Sequence, residues 1–197
     1  MSIDQIQDPE VRTLAALATS LEEDYISEKD PWQGSPFRWI QSRPSRQKGA
    51  IGELLVAGWA ASKGFDVLRS DNSDCDRIIN GLRIEIKYSN LWANTGGYKF
   101  QQIRDQAYDY CFCLGLSPFD AQAWFIPKHI LMDGFPDGLT PQHGGQDGRD
   151  TRWLSFIAKQ PPSWLAEYGG RLGQVKQLII EAGHGKFHGH KDRHRLR

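Results

Sequence analysis

The sequence is poor in cysteine, carries no surplus of either charge sign and contains no long apolar run. Three cysteines, Cys75, Cys111 and Cys113, cannot all pair internally, so they read as reduced thiols of a cytosolic protein rather than a disulfide framework. Lys and Arg number 24 and Asp and Glu number 24. That balance excludes a bulk polycation that coats nucleic acid, but not a local basic cleft. No stretch approaches the ~18 apolar residues of a membrane span. The start, MSIDQIQDPE, is acidic and lacks the apolar core of a secretory signal. No P-loop and no internal repeat is found. What remains is 197 residues, long enough to bury ~70% of the unfolded surface without a metal or disulfide staple.

The even charge total hides a gradient. Residues 1–40 hold eight acids against three bases. Residues 41–63 hold four bases, Arg43, Arg46, Lys48 and Lys63, against Glu53. The end, GHGKFHGHKDRHRLR (183–197), holds five Lys/Arg and four His against one Asp. The expected organisation is an N-terminal helical segment (1–44), a core (45–182) and a flexible basic, His-rich tail (183–197).

Residues 10–27 read as a helix, with Leu14, Leu17, Ala18, Leu21 and Tyr25 at helical spacing and Asp8-Pro9 as its start. SRQKGAIGELLVAGWAASK (45–63) reads as a second, with Ser45 as N-cap and Gly64 as stop. Gly49, Gly52, Ala57, Gly58 and Ala61 give it small surfaces against which something can pack closely. Strand-like runs follow at 65–70, 75–79, 82–89, 108–116 and 121–127, with a short helix expected near 99–107. Residues 133–150 read as a long glycine-rich loop, a length uncommon without a role. WLSFIA (153–158) is ambiguous, and 163–182 suits one or two short helices. This order predicts an α/β or α+β domain with a mixed sheet flanked by helices.

The informative segment is DNSDCDRIINGLRIEIKYS (71–89). Asn80-Gly81 between two β-rich runs signals a two-residue type I′ hairpin. The register follows: Ile79 faces Leu82, Ile78 faces Arg83, Arg77 faces Ile84 and Asp76 faces Glu85. Cys75, Arg77, Ile79, Leu82, Ile84, Ile86 and Tyr88 share one face, a core face with Arg77 its only misfit. Asp74, Asp76, Ile78, Arg83, Glu85 and Lys87 share the other. Asp76 and Glu85 are then cross-strand neighbours, ~5 Å apart at Cβ, and their charges repel. A divalent cation between them removes the conflict. Hard oxygens at that separation suit Mg²⁺ completed by waters and a substrate phosphate. Lys87, two residues beyond Glu85, can orient a water or stabilise a phosphate. A metal and an ammonium without a covalent nucleophile suit metal-assisted attack of water on a phosphodiester. The plain alternative is a solvated hairpin face on which Glu85 pairs with Arg83 or Lys87.

Asp76 followed nine positions on by Glu85-Ile86-Lys87 resembles the PD-(D/E)xK nuclease superfamily. KGAIGE (48–53) places Glu53 upstream of the first strand, where many members carry an acidic residue. YKFQQIRDQAYDYCFCLGLSP (98–118) is similar to the following helix and strand of restriction-endonuclease-like members, with Gln102 the best match to their Gln or basic residue. The resemblance spans roughly 45–127. It departs from the pattern at Cys75, where Pro is common, and Asp74 on the same face competes with Asp76 for the metal role.

The resemblance implies a restriction-endonuclease-like sheet with the site at one edge. Asp76, Glu85 and the Ile86 carbonyl would hold Mg²⁺, with Mn²⁺ able to substitute. Glu53 would act as a second acidic ligand, through water. Lys87 would place the attacking water, and Gln102 would contact substrate or support Lys87. Arg46 and Lys48 are candidates for phosphate contacts. Ser89 and Asn90 are candidates near the cleft. Gln142, His143, Arg149 and Arg152 are candidates for reading bases from the glycine-rich loop.

The expected function is a type II restriction endonuclease cutting a short double-stranded DNA site. A homodimer would match twofold DNA symmetry, and a cognate DNA methyltransferase would be its genetic partner. A structure-directed repair or junction-resolving nuclease is the second reading. A non-catalytic nucleic-acid-binding module is the third. The expected location is the cytoplasm, away from membranes.

Overall fold

The computed structural model describes residues 5–25, 30–71, 74–134, 136–141 and 151–192. The chain divides into two units, Met1–Gly34 and Ser35–Arg197. In the first, helix α1 spans Pro9–Tyr25, and Asp8 Oδ1 accepts the Glu10 N–H at 2.9 Å, the expected cap. Its apolar side chains Val11, Leu14, Leu17 and Leu21 are exposed.

The second unit begins with the short helix α2 (Arg38–Gln41) and helix α3 (Ser45–Ser62). Pro44 rather than Ser45 holds the N-cap position of α3. Its extended backbone lets the chain turn into the helix, and Ser45 already belongs to the first turn. Gly64, at φ 82°, stops the helix as expected, since only a residue without Cβ takes that conformation freely.

Strands β1 (Val67–Arg69), β2 (Arg77–Ile79) and β3 (Leu82–Asn90) form an antiparallel meander. Asn80 and Gly81 both have positive φ, 49° and 75°, as a type I′ turn requires. The pairs Ile79–Leu82, Ile78–Arg83 and Arg77–Ile84 are those the sequence predicts. Strand β5 (Tyr110–Leu116) then lies parallel to β3, and β6 (Ala121–Pro127) antiparallel to β5. The result is a mixed five-stranded sheet in the order β1-β2-β3-β5-β6.

Between β3 and β5 the sequence suggests a helix near 99–107; the structure places strand β4 (Gly97–Arg104) there instead. A bulge between Phe100 and Ile103 gives those apolar residues a helix-like spacing of three. β4 belongs to a second, antiparallel sheet in the order β4-β8-β7. Strand β7 (Leu139–Pro141) lies inside the expected long loop, and β8 (Thr151–Ile157) resolves the ambiguous WLSFIA run as a strand. Helix α4 (Lys128–Met132), a 3-10 helix (Ser163–Tyr168) and helix α5 (Leu172–Asp192) complete the unit. α5 takes in residues 183–192 of the expected tail.

The main core lies between the sheets. Tyr98, Phe100, Ile103 and Leu154 of the small sheet meet Cys111, Cys113, Trp124 and Ile126 of the large one. Gly115 leaves room for the Tyr98 ring, whose Cζ would stand 2.7 Å from an added Cβ. Burying each such large side chain contributes about 1.5–3 kcal/mol. On the opposite face α3 presses Gly52 against Tyr88, and Trp59 packs edge-on against Phe112 with centroids 5.7 Å apart. The architecture is thus α+β, a mixed sheet flanked by helices, as the sequence predicts. Among the described residues no helix is long and apolar enough to cross a membrane.

Candidate active site

Strand alternation puts Glu85, Lys87 and Ser89 of β3 on the face turned toward the small sheet. Their partners across the parallel ladder include Cys111 opposite Glu85 and Cys113 opposite Lys87. Both thiols are fully buried, so the site has an apolar floor. Lys87 Nζ meets Glu85 Oε1 at 2.6 Å, with side chains only 16% and 8% exposed.

Asp76 arrives from the other edge of β3. Its N–H donates at 3.0 Å to the carbonyl of Ile84, the residue that already pairs with Arg77, so the chain bulges here and the expected Asp76–Glu85 pair is not formed. Its carboxylate Oδ2 then accepts the Ile86 N–H at 2.7 Å. A carboxylate thus occupies the edge that β2 would cover if it were longer. In a strand the N–H and C=O of one residue point to the same side, so the Ile86 carbonyl faces the same opening.

Glu53 comes from α3, one residue past the glycine seated on Tyr88. Arg77 Nη1 stands 3.5 Å from Glu53 Oε2 and donates to the Asp76 carbonyl at 2.6 Å. The misfit arginine of the hairpin therefore ties helix to strand.

These charges act on one another. Burial raises the Glu53 carboxyl above its usual range; Asp76 and Glu85 add to the rise, while Arg77 and Lys87 oppose it. Burial also raises the Glu85 carboxyl, against the pull of Lys87 and with Asp76 adding. Burial works against the Lys87 ammonium, but the Glu85 carboxylate outweighs it and the net shift is upward. Lys87 is therefore a fixed cation near neutral pH and not a ready proton acceptor.

Two carboxylates, a backbone carbonyl and an ammonium make a hard-oxygen site suited to a divalent cation with waters completing its shell. As the side chains stand, no three His, Cys, Asp or Glu among the described residues converge as a metal cluster. Glu85 is turned onto Lys87 instead. The donor set that fits is two acids, Asp76 and Glu85, plus the Ile86 carbonyl.

The fold resembles that of a bacterial homing endonuclease, I-Ssp6803I. The TM-score is 0.50 at 16% identity, over 74% of this chain and 98% of that one. No family model matches the chain, and no curated protein matches it. The likeness is one of fold, and the hairpin carrying Asp76, Glu85 and Lys87 lies in the main sheet of this chain.

Gln102 sits in the β4 bulge at φ 56° and is exposed. It is on a strand and not on the helix the sequence suggests. β4 is anchored beside β3 where the Ser89 hydroxyl accepts the Lys99 N–H at 2.9 Å. At its other end the Arg104 charge acts on Glu85. Gln102 lies on β4 between those two points, in the stretch that passes Lys87.

Arg46 and Lys48 occupy the first turns of α3, Arg46 exposed and Lys48 half-buried. Ser89 and Asn90 are engaged internally. Besides Lys99, the Ser89 hydroxyl bonds the Asn90 carbonyl at 3.0 Å. Asn90 donates to Gln41 Oε1 at 3.0 Å and accepts from the Tyr88 hydroxyl. Arg152 lies on β8, and its guanidinium binds the Leu131, Met132 and Gly134 carbonyls at 2.5, 2.8 and 2.6 Å, holding the end of α4. Gln142, His143 and Arg149 lie outside the described residues.

The sequence reading gave no role to Arg77 or Tyr108. Arg77 left a signal, a lone charge on an apolar face. Tyr108 left none; its buried hydroxyl has no hydrogen-bond partner among the described residues, and the Glu85 charge acts on it. An open depression of about 590 Å³ adjoins Tyr108, lined by Asp105, Asp109, Lys128 and Asp133. It contains none of Glu53, Asp76, Glu85 or Lys87. Two of its three acids are paired, Asp105 with Lys128 of the lining and Asp109 with Arg83 outside it.

Proposed function

We propose that this chain is a divalent-metal-dependent endodeoxyribonuclease of the PD-(D/E)xK type, and that it cuts double-stranded DNA at a specific site. The observation that carries this reading is the Asp76 carboxylate held against the Ile86 N–H beside the Glu85–Lys87 pair. That juxtaposition makes sense for a cation and a phosphate and is unfavourable for a sheet built only for stability.

Asp76, Glu85 and the Ile86 carbonyl would hold Mg²⁺, which Mn²⁺ can replace. The ion supplies Lewis acidity and a water of lowered pKa. Lys87, kept charged by Glu85, orients the attacking water and balances the charge growing on phosphorus. Glu53 acts from outside the donor set, through water. Gln102, on the bulge that passes Lys87, contacts substrate. The attacking water would release a proton to solvent as its oxygen joins phosphorus, one P–O bond to a sugar would break, and the leaving oxygen would take a proton from solvent. Arg46 and Lys48 at the exposed start of α3 suit phosphate contacts.

A type II restriction endonuclease, acting as a homodimer and paired genetically with a DNA methyltransferase, is the finer reading. The second is a site-specific endonuclease of the homing kind, favoured by the likeness to I-Ssp6803I. Plasmid and phage DNA incubated with the protein in Mg²⁺ test both. Frequent discrete fragments support restriction, and rare cuts support the homing kind. Cutting of branched DNA alone would mark a junction-resolving enzyme. Asp76→Ala and Lys87→Ala should each lower cleavage by at least ~10²-fold while DNA affinity in Ca²⁺ is kept. Wild-type cleavage by either variant refutes the proposal.

A further inference from the structure

Arg77 is the only charged residue on the apolar face of the hairpin, and its side chain is 15% exposed. A buried arginine is retained only with partners, and its partners here belong to the site. One nitrogen, Nη1, donates to the Asp76 carbonyl at 2.6 Å and stands 3.5 Å from Glu53 Oε2. Lys87 meets Glu85 at 2.6 Å. The cluster therefore holds two acids already matched by cations, Glu53 by Arg77 and Glu85 by Lys87. Asp76 is held by a backbone N–H.

The two matches differ in kind. Lys87 carries its ammonium on a four-carbon stem with several rotatable bonds, paired only with the Glu85 side chain among the described ion pairs. Arg77 is a planar guanidinium, charged at every working pH and pinned to the main chain at its neighbour's carbonyl. It cannot leave Glu53 without breaking that bond. A two-metal nuclease site needs acids bridging ions about 3.5–4 Å apart. Here the acid available for the second ion already faces a fixed positive charge, and a divalent ion would meet that charge at close range.

Resting on the metal-dependent reading above, we propose that Arg77 takes the place of a second metal ion. The site binds one divalent cation, at Asp76, Glu85 and the Ile86 carbonyl. Arg77 is a positioning residue that keeps Glu53 as an outer acid and supplies the second positive charge.

The experiment counts Mn²⁺ by electron paramagnetic resonance on the full chain, the site count being the ions lost on Asp76→Ala. Wild type should hold one. Arg77→Met should hold two, with the broadened signal of spin-coupled neighbours, and Arg77→Met with Glu53→Gln should return to one. Arg77→Lys, which keeps a cation, should also hold one. A packing role alone would leave the count unchanged in every variant, and circular dichroism checks that each is folded. Two coupled ions in wild type, with normal cleavage, overturn this inference and leave the nuclease reading standing. One ion in a folded Arg77→Met also overturns it. Cleavage with no bound Mn²⁺ in wild type overturns the metal reading and this inference together.

Discussion

Gly52→Ala is the substitution that most directly probes how the site is assembled. A Cβ at position 52 would stand 2.4 Å from Tyr88 Cβ, 2.7 Å from its Cγ and 2.9 Å from its Cδ2. The nearest atom is fixed to the β3 backbone, so a rotamer change gives no relief and α3 must lift from the sheet. Overpacking of this kind costs about 1–3 kcal/mol. The helix itself gains about 1 kcal/mol from Gly→Ala. Gly49 and Gly58 lie on the same helix, and an added Cβ at either meets nothing within 4 Å. Gly49→Ala and Gly58→Ala should therefore raise the melting temperature by about 2–4 °C. Gly52→Ala should melt about 2–12 °C below them, the overpacking cost converted at 2–4 °C per kcal/mol. Because Glu53 follows Gly52, the lifted helix should also lower DNA cleavage, whereas the two control variants cleave as wild type. Scanning calorimetry and a plasmid assay read both effects. A Gly52→Ala protein as stable as Gly49→Ala would refute this account of how α3 is seated.

Glu53, whose carboxyl is raised above 4.5 chiefly by burial, holds its proton more tightly folded than unfolded. Its favourable contribution is present in acid and is lost as pH rises through the raised value. Glu53→Gln should thus melt above wild type at pH 8, with the gap closing below pH 4.5; a gap independent of pH contradicts this. Arg152→Ala removes a charged donor from three carbonyls and should cost about 2–3 kcal/mol, or about 4–12 °C. An unchanged melting point together with a DNA-binding salt slope reduced by about one would reassign Arg152 to a phosphate. Ca²⁺ at about a hundred times its dissociation constant should stabilise wild type by about 2.7 kcal/mol and Asp76→Ala by nothing. Equal shifts would place the ion elsewhere.

The hairpin was readable because Asn80-Gly81 fixes a turn length, and a turn length fixes every cross-strand neighbour. Counting carries as far as Arg77 opposite Ile84; at Asp76 the chain leaves the count, its N–H bonding the Ile84 carbonyl and its carboxylate the Ile86 N–H, so the expected Asp76–Glu85 pair is not among those formed. The Gln102 segment was not readable as a strand. Its bulge spaces Phe100 and Ile103 as a helix would, and the left-handed backbone at Gln102 leaves no trace in composition. Strand β7 hid among the glycines and prolines of 133–150 for a related reason: three residues are too few to show a period. Ser89 and Asn90 read as candidates near the cleft because nothing local shows that Lys99 and Gln41 will reach them. The pairing of Arg77 with Glu53 depends on helix α3 lying over the sheet, a relation between segments 24 positions apart that no local pattern encodes.

The turn at Asn80-Gly81 also sets a parity. Adding or removing one residue there would exchange the two sides of β3 relative to β2, so that Ile84 and Ile86, or Ile86 and Tyr88, would occupy the places of Glu85 and Lys87. Gly183 of α5 lies over the same corner, where a Cβ added to it would meet the Asn80 Cβ at 3.9 Å, so an insertion would also have to fit beneath that helix. Drift in length is thus blocked at this corner, and variants of this chain that keep its chemistry must keep a two-residue connection here.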